Sequence, residues 1–235
     1  MKRSGLLALV LAVVLSGTAA WADFYVVAGG GPPVGTKITS LPLNITASGF
    51  YFLSRNLVTS GDGITVSVDD VTIDLMGFSM QRSGSTGGTG ISMTNRKNVE
   101  IRNGTLRNFA SGIYESSIDA RGHRLSNIRT KFCNSGIWLC GETHQIDGCN
   151  TSNGITGIYV YNGSISNCVA SYNGNTGIYL EYAGNLLGNM ANNNSTYGFR
   201  IGDGPRVVDR NSATDNGTNY FGGGGSTVYG LNAQN

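Results

Sequence analysis

The sequence predicts an all-β chain wound as a single right-handed parallel β-helix, a solenoid of about seven to eight coils behind an N-terminal cap. Three observations predict it. Gly followed by Ile or Phe recurs at Gly63-Ile64, Gly90-Ile91, Gly112-Ile113, Gly136-Ile137, Gly157-Ile158, Gly177-Ile178 and Gly198-Phe199, at steps of 27, 22, 24, 21, 20 and 21 residues. Around each of these pairs the residues alternate as a strand does. Finally, 36 glycines and a charged fraction of only 13% leave no stretch with the periodicity of an amphipathic helix.

Taken from the N-terminus, Lys2 and Arg3 precede the apolar run LLALVLAVVL and the small-residue triplet Ala20-Trp21-Ala22. This pattern reads as a secretory signal peptide over 1–22, cut before Asp23, and places the mature chain in the periplasm or outside the cell. A membrane anchor needs about 20 consecutive apolar residues, and Ser16, Gly17 and Thr18 interrupt this run. No transmembrane anchor is therefore expected after cleavage. The chain carries 16 basic and 14 acidic residues. Removing Lys2 and Arg3 leaves it formally neutral, which argues against nucleic acid as a partner.

Residues 23–57 are expected to form an N-terminal segment and cap, with ITSLPLNITASGFYFLSRNL (38–57) covering the open edge of the first coil. The solenoid should then occupy 58–221. In each repeat the Ile and the residue two further on (Val66, Met93, Glu115, Leu139, Val160, Leu180, Ile201) face inward, while Thr65, Ser92, Tyr114, Trp138, Tyr159, Tyr179 and Arg200 face outward. A second apolar pattern follows in VTIDL (71–75), VEIRN (99–103), QIDGC (145–149), SISNC (164–168) and LLGNM (186–190), so each unit holds at least two strands.

Asn108, Asn153, Asn173, Asn194 and Asn216 stand four residues before the next repeat position, where a tight corner needs a residue that tolerates the left-handed conformation. Such a unit cannot bury its apolar face alone and must stack on copies about 4.8 Å away, with the right-handed crossover that parallel strands prefer. A leucine-rich horseshoe has a similar period, but the L-x-x-L-x-L spacing is missing. The Gly-rich stretch 222–235 reads as a C-terminal tail. With no strong C-terminal cap, end-to-end self-association is a candidate property.

Gly-Ile-aromatic-apolar units, together with GDGITVSVDDVTIDLMGF (61–78), resemble the parallel β-helix repeats of the pectate-lyase-like superfamily over residues 38–221. The resemblance implies the fold and leaves the chemistry open. Pectate lyases of that group use an Asp cluster for calcium, whereas the one adjacent Asp pair here, Asp69-Asp70, reads as a turn. The polygalacturonase motifs are matched only by Asp69-Asp70, Gly122-His123 and Arg129-Thr130-Lys131, without Asn-Thr-Asp and at the wrong spacing. For the copper-handling branch that matures nitrous oxide reductase, Met76, Met80 and Met93 read as core, and neither Cys-x-x-Cys nor His-x-His occurs. The residues name no cofactor, and a metal at His123 and His144 has no supporting spacing.

Four cysteines, Cys133, Cys140, Cys149 and Cys168, allow three pairings in an exporting compartment. Cys149 and Cys168 close equivalent strands one coil apart, so they form either a disulfide or an inward ladder of free thiols running on into Asn189.

Two candidate sites emerge. The long loop SIDARGHRL (117–125) and the next coil bring Asp119, Arg121, His123, Glu142 and His144 toward one sector, a set able to support hydrolysis or β-elimination on an acidic glycan. The outward series Tyr114, Trp138, Tyr159 and Tyr179, with Tyr161 and Tyr182 nearby, repeats at about the length of one sugar and suits a polysaccharide. It equally suits an aromatic ladder that supports the coil. Glu115 interrupts the inward row, which is read as the strand ending early. The short rod tips the functional expectation toward a polysaccharide-binding or surface module, with a lyase or glycosidase and a structural, adhesin-like protein as alternatives.

Overall fold

Gly before Ile is demanded by how closely successive coils approach. A Cβ on Gly112 would lie 2.5 Å from the Gly136 carbonyl oxygen, one on Gly136 2.6 Å from that of Gly157, and one on Gly157 2.5 Å from that of Gly177. Only a residue without a side chain lets the coils close to strand-pairing distance there. Gly157→Ala is expected to lower stability by about 1–3 kcal/mol, read as a shift in the urea midpoint at constant m-value.

The computed structural model describes residues 35–224 and 227–234. The signal peptide expected over 1–22, with cleavage before Asp23, falls outside the described residues. Every strand pairing is parallel and links one coil to the next, giving a β-solenoid of about nine turns with no helix among the described residues. Each coil contributes to three sheets. Sheet A runs through Gly49–Leu53, Val71–Asp74, the first part of Glu100–Arg107, the first part of Arg124–Lys131, His144–Asp147, the later parts of Thr156–Ser166 and Thr176–Leu187, Arg206–Asp209 and Thr227–Tyr229. Sheet B runs through Leu57–Thr59, Ser79–Arg82, residues 105–107 and 129–131, Asn150–Ser152, Val169–Ser171, Met190–Asn192 and Ser212–Thr214. Sheet C carries the Gly-Ile repeats, from Leu43–Ile45 and Ile64–Val66 through Phe109–Glu115, Ser135–Leu139 and the first parts of the two long strands to Tyr197–Ile201 and Thr218–Gly222.

The ladders cross both expected boundaries. Leu43–Ile45 and Gly49–Leu53 already pair with the coil above them, and Thr227–Tyr229 and Ala233–Gln234 extend sheets A and B beyond 221. This accounts for about nine turns where seven to eight were expected.

Inside, like stacks on like. Ile64, Ile91, Ile113, Ile137, Ile158, Ile178 and Phe199 form one buried row, and Ile73, Ile101, Leu125, Ile146, Ile165, Leu186 and Val208 form another. The corner asparagines divide into two roles. Asn108 and Asn153 take the left-handed conformation as expected, at φ 62 and 57. On later coils that position falls one residue earlier, on Tyr172, Asn193 and Asp215. Asn173, Asn194 and Asn216 consequently turn inward, where Asn173 Nδ2 donates to Asn194 Oδ1 at 2.9 Å and Asn194 Nδ2 to Asn216 Oδ1 at 2.8 Å. A second ladder joins Asn189 to Asn211 at 3.0 Å and Asn211 to Asn232 at 3.1 Å. Asn189, Asn194, Asn211, Asn216 and Asn232 also donate to a backbone carbonyl, so these polar rows carry no unpaired amide nitrogen.

Candidate functional site

Glu115 does not end its strand. It stands in register between the Met93 level and Leu139 and is fully buried. Its carboxylate is held by backbone donors from two corner loops: Asn95 N–H at 3.0 Å and Ser117 N–H at 2.6 Å on Oε1, and Arg96 N–H at 3.3 Å on Oε2. His123 Nε2 lies 3.5 Å from Oε2, beyond hydrogen-bond length but close enough to act as an electrostatic partner. Burial would push this carboxyl up; the His123 contact and the three N–H donors outweigh it and hold the pKa below the ordinary value.

Both histidines of the chain also face the interior, at 0% and 1% exposure. They occupy one inward row of sheet A, Val99–His123–His144–Gly163, with imidazoles stacked at 4.9 Å and 5°. His123 Nδ1 accepts from Val99 N–H at 3.2 Å, and His144 Nδ1 accepts from His123 N–H at 3.3 Å. With both Nδ1 atoms accepting, the neutral rings carry their protons on Nε2, and His144 Nε2–H donates to the Cys140 carbonyl at 2.8 Å. Burial, then the neighbouring His123, pushes His144 down to about 4.

The five-residue acid–base set read from the sequence is thus divided by the wall of the coil. His123 and His144 are inside. Asp119 is exposed in the loop, and Arg121 pairs with Glu142 at 2.5 Å on the surface, where such a pair contributes little. The structure brings together Glu115, His123 and His144 instead, out of contact with solvent.

The aromatic series is in register as expected: Tyr114 pairs with Trp138, Trp138 with Tyr159, Tyr159 with Tyr179, and Tyr179 with Arg200. From Trp138 onward, however, its rings are occupied with one another. Trp138 and Tyr159 stack at 4.0 Å and 16°, Tyr159 meets Tyr179 edge-on at 5.3 Å, and the Arg200 guanidinium covers Tyr179 at 4.4 Å. Tyr159 is 5% exposed and its hydroxyl donates to Glu181; burial, then that bond, raises its pKa. Tyr161 and Tyr182 stack at 5.7 Å. A sugar would have to displace these ring contacts, so the geometry favours a ladder that supports the coil over a docking stripe.

The cysteines are free thiols. Cys149 and Cys168 stand in adjacent rungs, with Cys149 N–H donating to Cys168 Sγ at 3.4 Å and Cys168 N–H donating in turn to Asn189 Oδ1 at 2.9 Å. The thiols therefore continue the asparagine ladder. Contact between the two thiols, then burial, raises the Cys168 pKa, and burial pushes Cys133 up to about 11. Met80 and Met93 are core residues, whereas Met76 is a 44% exposed corner residue at φ 51. No group of three or more metal-ligating side chains occurs among the described residues.

One surface lay outside the sequence-based expectations. The outer face of sheet A carries two polar rows in register, Thr72–Glu100–Arg124–Gln145–Ser164–Asn185 and Asp74–Arg102–Ser126–Asp147–Ser166. Arg102 is tied to Asp74 at 2.8 Å and to Glu100 at 2.9 Å. Arg124 is exposed and has no carboxylate partner among the described residues. Beside it opens a cleft of about 390 Å³ lined by Thr72, Asn98, Glu100, Gly122, Arg124, Thr143 and Gln145. The buried trio braces its rim, because Glu115 anchors the 94–97 loop that leads to Asn98, and His123 holds the backbone of Val99 and adjoins Gly122 and Arg124. The alternation of polar residues along the outward rows of sheet A was the available signal in the sequence.

A family model for the right-handed β-helix region matches residues 89–235. No curated protein matches the chain.

Proposed function

The chain belongs to the right-handed β-helix family, and from that premise we propose that it is an exported, non-catalytic glycan-binding module whose ligand lies along the polar outer face of sheet A. The cleft carries this reading: amide, hydroxyl and guanidinium groups from successive coils converge there on one concave surface. The first row alone offers six polar side chains over about 24 Å, the reach of an extended oligosaccharide. Export is supported by the Lys2-Arg3 start, the apolar run and the Ala20-Trp21-Ala22 triplet. Turnover by the loop residues has less in its favour, because His123 and His144 are turned away from any substrate on the surface.

Titration calorimetry against neutral and uronate-containing oligosaccharides tests the reading. Arg124→Gln is expected to weaken binding about tenfold, the scale of one charge-assisted hydrogen bond. Trp138→Ala is expected to lower stability by about 1–3 kcal/mol while leaving affinity unchanged, since its ring serves the ladder. If Trp138→Ala abolishes binding and Arg124→Gln does not, the ligand lies on sheet C. If no oligosaccharide binds, or if products are released, the proposal fails.

A further inference from the structure

We infer that the outer face of sheet B, with its corner toward sheet C, is a docking surface for an anionic lipid bilayer. The first observation is charge. Arg107 and Lys131 are paired residues on adjacent strands, about 4.8 Å apart along the coil axis, and Arg129 stands two residues from Lys131 on the same outer face. Like charges directly opposite one another destabilise a sheet. No carboxylate relieves them: the sheet B segments 57–59, 79–82, 105–107, 129–131, 150–152, 169–171, 190–192 and 212–214 contain neither Asp nor Glu, and none of the three cations has an ion-pair partner among the described residues. An anionic partner would remove the repulsion that the fold leaves standing.

The second observation is strain combined with exposure. The corner position after each sheet B segment from 105–107 to 212–214 is left-handed, and Asn108, Asn153, Asn193 and Asp215 meet that need at small cost. On two intervening coils the same position holds Phe132 at φ 57 and Tyr172 at φ 55, with 47% and 60% of each residue exposed. A bulky side chain at positive φ is unfavourable, and both residues stay about half exposed in return; the Phe132 ring meets the Lys131 ammonium at 5.1 Å, so cation and aromatic share one surface patch. Val58 and Met190, 64% and 46% exposed, add apolar surface to the same sheet. A dissolved polyanion would use the cations alone. A bilayer takes both parts, with headgroup phosphates at Arg107, Arg129 and Lys131 and projecting aromatic tips at the water–lipid boundary.

Co-sedimentation of the mature protein with mixed phosphatidylglycerol–phosphatidylcholine vesicles, and with phosphatidylcholine alone, decides the matter. Binding is expected to the mixed vesicles only, and to weaken as salt is added. The double variant Arg107→Gln/Lys131→Gln should bind about tenfold or more weakly, given the electrostatic contribution of each cation near a charged membrane. Phe132→Asn should also weaken binding while raising the melting temperature, because it relieves the corner strain; this variant separates lost docking from lost folding. Equal binding to both vesicle types, failure to bind either, or unchanged binding by Phe132→Asn overturns the inference. So does capture by dextran sulfate or single-stranded DNA without vesicle binding, which would assign the cations to a dissolved polyanion.

Discussion

Glu115→Ala is expected to destabilise the protein by about 4 kcal/mol, the scale of breaking a buried charged network by removing one partner. The substitution strips the acceptor from three backbone N–H groups, Asn95, Arg96 and Ser117, and leaves them in a buried corner with no replacement. Each orphaned donor costs roughly 1–3 kcal/mol, less whatever the loops recover by opening to water. Glu115→Gln retains one oxygen for Asn95 and Ser117 but sets an amide group toward Arg96 and His123, so about half the loss is expected. Urea unfolding followed by Trp138 fluorescence would measure both, since the other Trp, Trp21, lies in the 1–22 segment that reads as a signal peptide. A cost below about 1 kcal/mol for Glu115→Ala would mean that the two loops hold themselves without the carboxylate.

The Glu115 corner also marks the limit of what the residues disclosed. The Gly-Ile interval was legible because the same backbone approach must be solved at every coil, and the same residue solves it each time. Side-chain direction in the loops was not. Counting forward from the repeat Gly puts His123 at +11 and His144 at +8, and the longer 116–121 loop obscures that the two are equivalent. Counting back from the next inward residue resolves them, because His123-Arg124-Leu125 and His144-Gln145-Ile146 each place His two before a core aliphatic and therefore inside. Glu115 was at an inward position by the same rule, and its three N–H partners come from loops that have no repeat pattern to read. The tyrosine stripe was assigned to the correct face and the correct register. Whether rings on adjacent coils face a ligand or each other depends on rotamers, which alternation does not encode.

Acidification is expected to remove about 3 kcal/mol of stability between pH 6.5 and pH 4 through His144 alone. Its imidazole is buried and neutral in the fold, with the pKa pushed down to about 4, while in the unfolded chain it titrates near the ordinary value of 6.5. Over that window the unfolded state binds a proton that the folded state refuses, so stability falls as pH falls and levels off once both states are protonated. The groups around His144 are the stacked His123, the Cys140 carbonyl that accepts from Nε2 and, beyond His123, the Glu115 carboxylate that His123 adjoins and whose charge reaches His144. Glu115 acts in a lower window. Its folded pKa is depressed, so its contribution is complete above the ordinary value of 4.5 and disappears as pH falls through the folded value. Two successive losses should therefore appear in urea midpoints measured against pH. His144→Leu should be less stable at pH 7, having given up the Cys140 bond, yet nearly flat between about pH 6.5 and 4.5, with the Glu115 loss retained below. If the variant keeps the full slope above about pH 4.5, the protons taken up on unfolding belong to other groups, and the stacked imidazoles are not what makes this coil acid-sensitive.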